Sequence, residues 1–369
     1  MSVNEMKNGV KAVILVGGEG TRLRPLTYHT PKSMVPVLNM PFLEHVIRNL
    51  RDHGITEIIL AQHHLPDSMR KHFGDGSKFG VSLLYIMEDS PRGSAGAVKN
   101  AERYLKDTFL VLNGDIFHNR NFTDMLAFHK SKHAKVTLDL TPVEDPTIYG
   151  MVETDEQGKV QRFLEKPKRD EITTNLINAG TWVMDPEVLK IIPPDIKCSF
   201  EKEIFPRMLA DGESIYAYPS YRYWMDTGTP EKYLQLHRDL LSGKCDGYPF
   251  EKNVIGDGCK IHPTAQLEGK ILLGDNCSIG RGVRLIGPVV IGPDCQLDND
   301  SVITDSVIWH NVRIGQRVVI KSSILADNCT IGDDSYLIDA VLGDHVTISD
   351  GCKLKPGSRI MPGEIVKES

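Results

Sequence analysis

Nowhere in the 369 residues does an apolar run approach the ~20 residues that a membrane-crossing helix needs. The N-terminal MSVNEMKNGVKAVILVGG holds only the short run Ala12–Val16 before a glycine pair. That is too brief for a secretory leader, so the run reads as a buried strand and the chain as cytoplasmic. Basic character is missing too: 43 Lys and Arg stand against 49 Asp and Glu, a formal charge of −6 that predicts no nucleic-acid partner. Cysteine is sparse and poorly placed for metal work. The seven cysteines contain no Cys-x-x-Cys pair; Cys259, Cys277 and Cys295 recur every 18 residues and Cys329 lies 34 further on, a spacing that suits small side chains in a repeat. His63-His64 and the other histidines show no ligand spacing and read as surface or structural residues. What is present, 40% hydrophobic and 25% charged residues, is the composition of a globular protein long enough for two domains.

The first two-thirds alternates strand-like runs (Lys11–Val16, Glu57–Ala61, Ser82–Met87, Thr108–Leu112, Lys135–Thr141) with helical patterns (Phe42–His53, Asp67–Phe73, Ala95–Leu105). Such alternation predicts an α/β domain with a Rossmann-like, mostly parallel sheet and helices on both faces, and it directs attention to the loops after Val16 and Leu112. Tyr233–Leu241 reads as its closing helix, which gives a domain over residues 1–241 and a linker over 242–254, where Gly243–Lys252 carries Cys245, Gly247 and Pro249.

Residues 255–369 read differently, as short apolar pairs set among Gly, Asp, Asn and Cys. Leu297, Ile314, Ile331 and Ile348 are each 17 apart, and Val290, Val307, Ile324 and Val341 keep the same step, as do Cys295, Val312, Cys329 and Val346. In-phase columns at one period define a solenoid with three short strands per coil. The pattern resembles the left-handed parallel β-helix of hexapeptide-repeat proteins, and the handedness comes from that resemblance. Flat coil ends and strand edges predict a homo-oligomer assembled through this region.

Val16-Gly17-Gly18-Glu19-Gly20-Thr21-Arg22-Leu23-Arg24-Pro25-Leu26-Thr27 follows the first strand. Its glycines let backbone N–H groups approach an anion, and Arg22 and Arg24 add charge. No Gly-Lys-Ser/Thr follows, so this is not a Walker loop, and Pro25 interrupts the helix that a dinucleotide fingerprint needs. The string resembles the GG-x-GTRL-x-P-x-T signature of the sugar-1-phosphate nucleotidylyltransferases. Pro31-Lys32-Ser33 resembles that family's second motif, with serine where proline is commoner. Gly93-Ser94-Ala95-Gly96 resembles its nucleobase loop, Leu112-Asn113-Gly114-Asp115 its metal motif, Phe163-Leu164-Glu165-Lys166-Pro167 and Asn178-Ala179-Gly180 its sugar motifs, and Trp224-Met225-Asp226 its second metal carboxylate. The resemblance spans nearly all of residues 10–236.

The resemblance implies transfer of a nucleotidyl group to a sugar phosphate, with loss of pyrophosphate. The attacking oxygen is already anionic, so catalysis must come from positioning and charge neutralisation. It assigns catalytic roles to Arg22, Lys32 and Lys166, and Mg²⁺ to Asp115 and Asp226. Substrate binding falls to Val16, Gly17, Gly18, Gly20, Thr21, Glu88, Gly93, Gly114, Gly150, Glu165, Asn178 and Gly180. Glu88 bears on the base, because a carboxylate only accepts hydrogen bonds and guanine offers two adjacent donors where a pyrimidine suits Gln. The loop from Glu88 also resembles that of mannose-1-phosphate guanylyltransferases, which favours GTP and mannose 1-phosphate over dTTP or UTP with glucose 1-phosphate. A hexapeptide acyltransferase is a poorer reading, since His262, His310 and His345 form no familiar motif. The intact charged set argues against a non-catalytic nucleotide-sugar-binding subunit.

Overall fold

The computed structural model describes residues 9–62, 66–248 and 253–367; the first eight residues, the His63-His64 pair and the 249–252 part of the expected linker lie outside them. Contacts group the chain otherwise than its composition does. One compact unit takes the described residues of 1–18 with Leu43–Trp224, and the other takes Glu19–Phe42 with Met225–Ser369.

In the first unit β1 (Lys11–Leu15), β2 (Glu57–Gln62), β3 (Ser82–Met87) and β4 (Phe109–Asn113) run parallel in the order β4-β1-β2-β3. These runs are apolar at nearly every position because both faces of the sheet are covered. On one face Val13, Ile59 and Val111 join Ala95, Ala97 and Val98 of α3 (Gly93–Asn100) in a buried cluster. On the other, Ala12, Ile14, Ile58 and Leu60 are at most 1% exposed. Each such Val, Ile or Leu contributes about 1.5–3 kcal/mol by leaving water. The helix expected over Ala95–Leu105 divides: Ala101 N–H closes onto Val98 O, and a separate 3-10 turn, Glu102–Tyr104, follows.

The parallel order ends at β4. Beyond β5 (Ile116–His118), β6 (Val136–Pro142), β7 (Gly150–Thr154) and β8 (Val160–Glu165) comes β9 (Leu176–Met184). β9 runs antiparallel to β4, β6 and β7, and β10 (Ile215–Pro219) lies parallel to β6. The sheet is therefore mixed, in the order β8-β7-β9-β4-β1-β2-β3, with β6 branching from β9 and β10 pairing β6.

In the second unit the solenoid forms three parallel sheets of seven, seven and five strands. Leu297, Ile314, Ile331 and Ile348 pair in succession, as their column requires. Coil length changes at one corner. Three residues separate Ile286 from Val290, whereas only Asp305 and Ser306 separate Thr304 from Val307, which turns an 18-residue step (Leu272 to Val290) into a 17-residue one (Val290 to Val307). The short corner repeats at Ser322-Ser323 and Asp339-Ala340. Each opens on a left-handed residue (Asp305 φ 49, Ser322 φ 48, Asp339 φ 54) and follows it with a small, fully buried one.

One solenoid sheet buries both faces. Its inward residues, among them Ile291, Ile308 and Leu325, fill the coil, and the alternate Val290, Val307 and Ile324 are only 1–2% exposed. Within this unit the helix Pro230–Leu241 and the Glu19–Phe42 segment bond to the solenoid. Tyr233 donates its hydroxyl to Pro36 O and accepts from Trp309 Nε1 (3.1 Å), and Arg238 grips Asp305 through two bonds (2.8 and 2.6 Å). Asn39 Nδ2 donates to Ile291 O at 2.9 Å, and His29 Nδ1 lies 3.4 Å from Asp344 Oδ2. The cysteines serve the coil: Sγ of Cys277, Cys295 and Cys329 donates to Gly292, Trp309 and Gly343 carbonyls at 3.2, 3.0 and 3.2 Å.

Candidate active site

The first unit carries the residues for which the sequence predicts base and sugar binding. At the end of β1, Val16 N–H still follows the ladder, donating to Ala61 O (2.9 Å), before the chain turns at Gly17 and Gly18. Gly114 N–H donates to Leu15 O (2.9 Å), which sets Asp115, in the turn after β4, beside the carboxyl end of β1.

Glu88 follows β3. Its N–H donates to Gln62 O (2.9 Å), its side chain is 8% exposed, and Oε2 accepts from Arg92 N–H (3.2 Å). Gly93 has φ +72°, and a Cβ there would stand 2.5 Å from Cys198 O, so no side chain fits. Ala95 and Gly96 donate to that carbonyl (3.0 and 3.2 Å), and Cys198 N–H returns a bond to Arg92 O (2.8 Å). Ser94 Oγ donates to Glu201 Oε2 (2.8 Å) and accepts from Phe200 N–H (2.9 Å). A segment that the sequence reading passed over, 198–204, thus clamps the base loop. Its π-helical turn Phe200–Ile204 is a form that recurs at functional sites.

Glu165 ends β8 opposite Gly150 of β7. A Cβ on Gly150 would meet Phe163 Cζ at 2.7 Å and Glu165 Oε2 at 3.0 Å, so glycine lets the carboxylate lie across the strand. Burial chiefly, and then Glu201, pushes the Glu165 carboxyl above its ordinary pKa, while Lys166 and Lys202 pull it back. Lys202 is a second cation at this position. The signal for it was only one lysine in Glu201-Lys202-Glu203, indistinguishable from a solvated charge run. Lys166 holds φ 54°, uncommon for a residue with a Cβ, fixed by its N–H bond to Tyr149 O (2.9 Å). Strain of this kind costs roughly 1–3 kcal/mol and concentrates at functional positions. Asn178 Oδ1 accepts from Gly180 N–H (3.2 Å) and Trp182 Nε1 (2.7 Å), holding the bulge in β9.

The second unit carries Arg22, Lys32 and Asp226. Gly20 opens the 3-10 turn Thr21–Leu23, and Thr27 Oγ1 donates to Gly20 O (2.7 Å). Asp226, 8% exposed, ends the strand Trp224–Asp226 with three cations around it: Lys32 Nζ at 3.7 Å, Arg22 Nη2 at 3.8 Å and Lys232 Nζ at 3.9 Å. These are charge contacts longer than an ordinary hydrogen bond to Asp226. Lys232 was missed. It sits in the first turn of the helix Pro230–Leu241 behind the cap Thr229, where the helix dipole disfavours a cation.

Asp115 and Asp226 are hard oxygen donors. Among the described residues no three or more of His, Cys, Asp and Glu gather as a metal cage. Carboxylate oxygens suit a hard ion such as Mg²⁺, which would complete its shell from substrate and water, better than they suit Zn²⁺.

A glycine-turned strand end in an α/β sheet, a carboxylate after the neighbouring strand, and the lysines and arginines gathered at Asp226 suit an enzyme that works on phosphates by charge. The chain belongs to the nucleotidyl transferase family: the model described as nucleotidyl transferase matches residues 11–243. Its solenoid is a left-handed β-helix, matched by the six-repeat bacterial transferase hexapeptide model over residues 254–287 and by the EIF2B subunit epsilon LbH domain over 284–369. It is 40% identical to a mannose-1-phosphate guanylyltransferase of Mycobacterium tuberculosis over 266 residues, 70% of this chain and 74% of that one. It is 39% identical to a probable mannose-1-phosphate guanylyltransferase of rice over 69% and 75% of the two chains. Among solved structures, HddC from Yersinia pseudotuberculosis (28% identity, TM-score 0.54) matches 62% of this chain with 97% of its own. A putative glucose-1-phosphate thymidylyltransferase from Bacillus anthracis (25%, TM-score 0.57) matches 62% with 93%.

Proposed function

We propose that the chain joins GTP to mannose 1-phosphate, giving GDP-mannose and pyrophosphate. The observation that carries the choice of base is Glu88, a buried acceptor-only side chain at the mouth of the base loop, suited to the N1–H and 2-amino donors of guanine. Two curated relatives named as mannose-1-phosphate guanylyltransferases support the sugar, and HddC has been solved complexed with GMP-PN.

In this reading Arg22, Lys32 and Lys232 take the triphosphate and the charge that builds on pyrophosphate as it leaves. Lys166 and Lys202 take the sugar phosphate, and Glu165 and the Asn178 amide orient sugar hydroxyls. Val16–Thr21 and Gly93–Gly96 enclose the nucleotide, so that the attacking oxygen is aligned with the α-phosphorus before reaction. Asp115 and Asp226 hold Mg²⁺, which when bound supplies charge neutralisation between the two anionic substrates. Seven free thiols and a nucleoside triphosphate substrate suit the reducing cytoplasm, and the solenoid's exposed coil ends, Val254, Ile255 and Ile365, suit a homo-oligomer.

Pyrophosphate release measured for each of GTP, dTTP, UTP and ATP against mannose 1-phosphate and glucose 1-phosphate tests the proposal. Release highest for GTP with mannose 1-phosphate is the expected result. Preference for dTTP or UTP with glucose 1-phosphate replaces it with the thymidylyl or uridylyl alternative, which the Bacillus relative supports. Asp115→Asn is expected to lower kcat by orders of magnitude with the fold intact, as circular dichroism and turnover in Mg²⁺ will report.

A further inference from the structure

The turn Phe200–Ile204 in the first unit is π-helical, a rare backbone found mostly at functional sites. Ile204 N–H reaches back five residues to Ser199 O (3.2 Å), and Ser199 Oγ caps the turn by accepting from Lys202 N–H (3.3 Å). Two serine hydroxyls converge on one oxygen of the turn. Ser94 Oγ, from the base loop, and Ser199 Oγ both donate to Glu201 Oε2, at 2.8 and 2.7 Å. Ser94 Oγ also accepts from Phe200 N–H (2.9 Å), so one side chain of the base loop grips the turn both as donor and as acceptor.

The same turn reaches the residues read as sugar-binding. The Phe200 ring lies 5.2 Å from that of Trp182, whose indole N–H donates to Asn178 Oδ1 at 2.7 Å. Phe205, next after the turn, packs against Trp182 and against Phe163, two residues before Glu165 in β8, with ring centroids 5.4 and 5.6 Å apart. Phe163, Trp182, Phe200 and Phe205 share one buried cluster with Ala95 and Ala97 of α3. An interior packed this closely passes a displacement on to its neighbours. Glu201 and Lys202 also act from the turn on the charge of Glu165, in opposite senses.

We propose that the Phe200–Ile204 turn, tied to the base loop through Ser94 and Glu201, is a positioning element through which that loop sets Asn178 and Glu165; the inference rests on the base and sugar reading given under the proposed function. Ser94 fixes the turn, Phe200 holds Trp182, and Trp182 holds the Asn178 carboxamide. Glu201 is thus a positioning residue, and the placement of the base is felt at the sugar.

The test is a double-mutant cycle on the full-length protein: Ser94→Ala, Glu201→Ala and the two together, read as KM for GTP, KM for mannose 1-phosphate, kcat and thermal midpoint. The single variants cut one tie from opposite ends. Each is expected to raise the KM for mannose 1-phosphate by about three- to tenfold, within the roughly hundredfold that a 1 Å misplacement can cost, although Ser94 belongs to the base loop. The double variant is expected to be no worse than the worse single one, since a bond is lost only once. Ser94→Thr keeps the hydroxyl and is expected to restore the mannose 1-phosphate KM. If Glu201→Ala does not fold, Ser94→Ala and Ser94→Thr carry the test alone. A mannose 1-phosphate KM unchanged in folded Ser94→Ala, or single effects that multiply in the double variant, overturns the inference. Glu165→Gln separates the two ideas. If it leaves the mannose 1-phosphate KM as in wild type, the sugar reading has failed; if it raises that KM while Ser94→Ala raises only the KM for GTP, the link alone falls.

Discussion

The Glu88 carboxylate serves two neighbours, since Oε2 already accepts from Arg92 N–H and shapes the base loop. Glutamine can keep that bond by turning its carbonyl to Arg92, which leaves its amide donors to face the base. Glu88→Gln is thus expected to fold normally and to lose GTP efficiency by about 1–2 orders of magnitude, at ~1.4 kcal/mol per factor of ten, with a much smaller loss for dTTP or UTP. Measuring kcat/KM for four bases in both proteins checks this; an unchanged GTP preference moves the base reader to Asp89 or to backbone near Gly93. Glu165 is poised differently. Its carboxyl is raised, first by burial, so the folded state binds its proton more tightly than the unfolded chain does. The ionised form therefore weakens the fold, fully so above the raised folded-state pKa and not at all below the unfolded value near 4.3. Glu165→Gln is expected to raise the thermal midpoint at pH 8, to lose that advantage toward pH 4, and to impair turnover. Equal midpoints at pH 8 would count against burial as the cause. At this scale the sequence disclosed residues that sit at strand ends among glycines, such as Asp115 and Glu165. It hid Lys202 and Lys232, because a lone cation in a charged or helical stretch has no local pattern and acquires its meaning only from distant partners.

The parallel strands were legible because a strand covered on both faces must be apolar at nearly every position. β9 was not, since Asn178-Ala179-Gly180 broke the run at its bulge and the residues drew notice as a motif alone. The solenoid columns were legible by period, yet the change from an 18- to a 17-residue step depends on a corner where backbone angle matters more than hydrophobicity. Asp305 makes that corner testable, being left-handed (φ 49°) and the partner of Arg238. Asp305→Gly and Asp305→Ala both lose the ion pair, but only alanine keeps a Cβ in a left-handed backbone, a cost of roughly 1–2 kcal/mol. Denaturant titrations are expected to rank wild type above glycine and glycine above alanine; alanine equal to glycine would show that the corner relaxes.

For the molecule as a whole, composition located a change of architecture near residue 250, and it did not show that Glu19–Phe42 groups with the solenoid, because contacts 252 residues apart such as Asn39 with Ile291 leave no local trace. Truncation after Gly247 bears on both points. If assembly runs through residues 255–369, light scattering will report a smaller species; retention of the full-length state places the interface in the remaining chain. The same cut strips Tyr233 of its Trp309 partner and removes Ile291 and Asp344, which tether the stretch carrying Arg22 and Lys32. Its KM for the triphosphate is therefore expected to rise well beyond any change in KM for the sugar phosphate, and steady-state kinetics on the truncated chain will tell.

The route of the chain limits how such proteins can be recombined. It enters the second unit at Glu19, leaves after Phe42 and re-enters at Met225, so that unit is no detachable cassette. A graft spliced at the linker brings a foreign coil against Tyr28–Asn39 and the helix Pro230–Leu241, shaped for another partner, and loses counterparts to Trp309, Asp305 and Ile291 unless the donor happens to supply them. Chimaeras that transplant Glu19–Phe42 and Met225–Leu241 with the coil keep those pairs together. Two small inserts upstream of the visible boundary, rather than the boundary itself, then decide whether a hybrid is an enzyme.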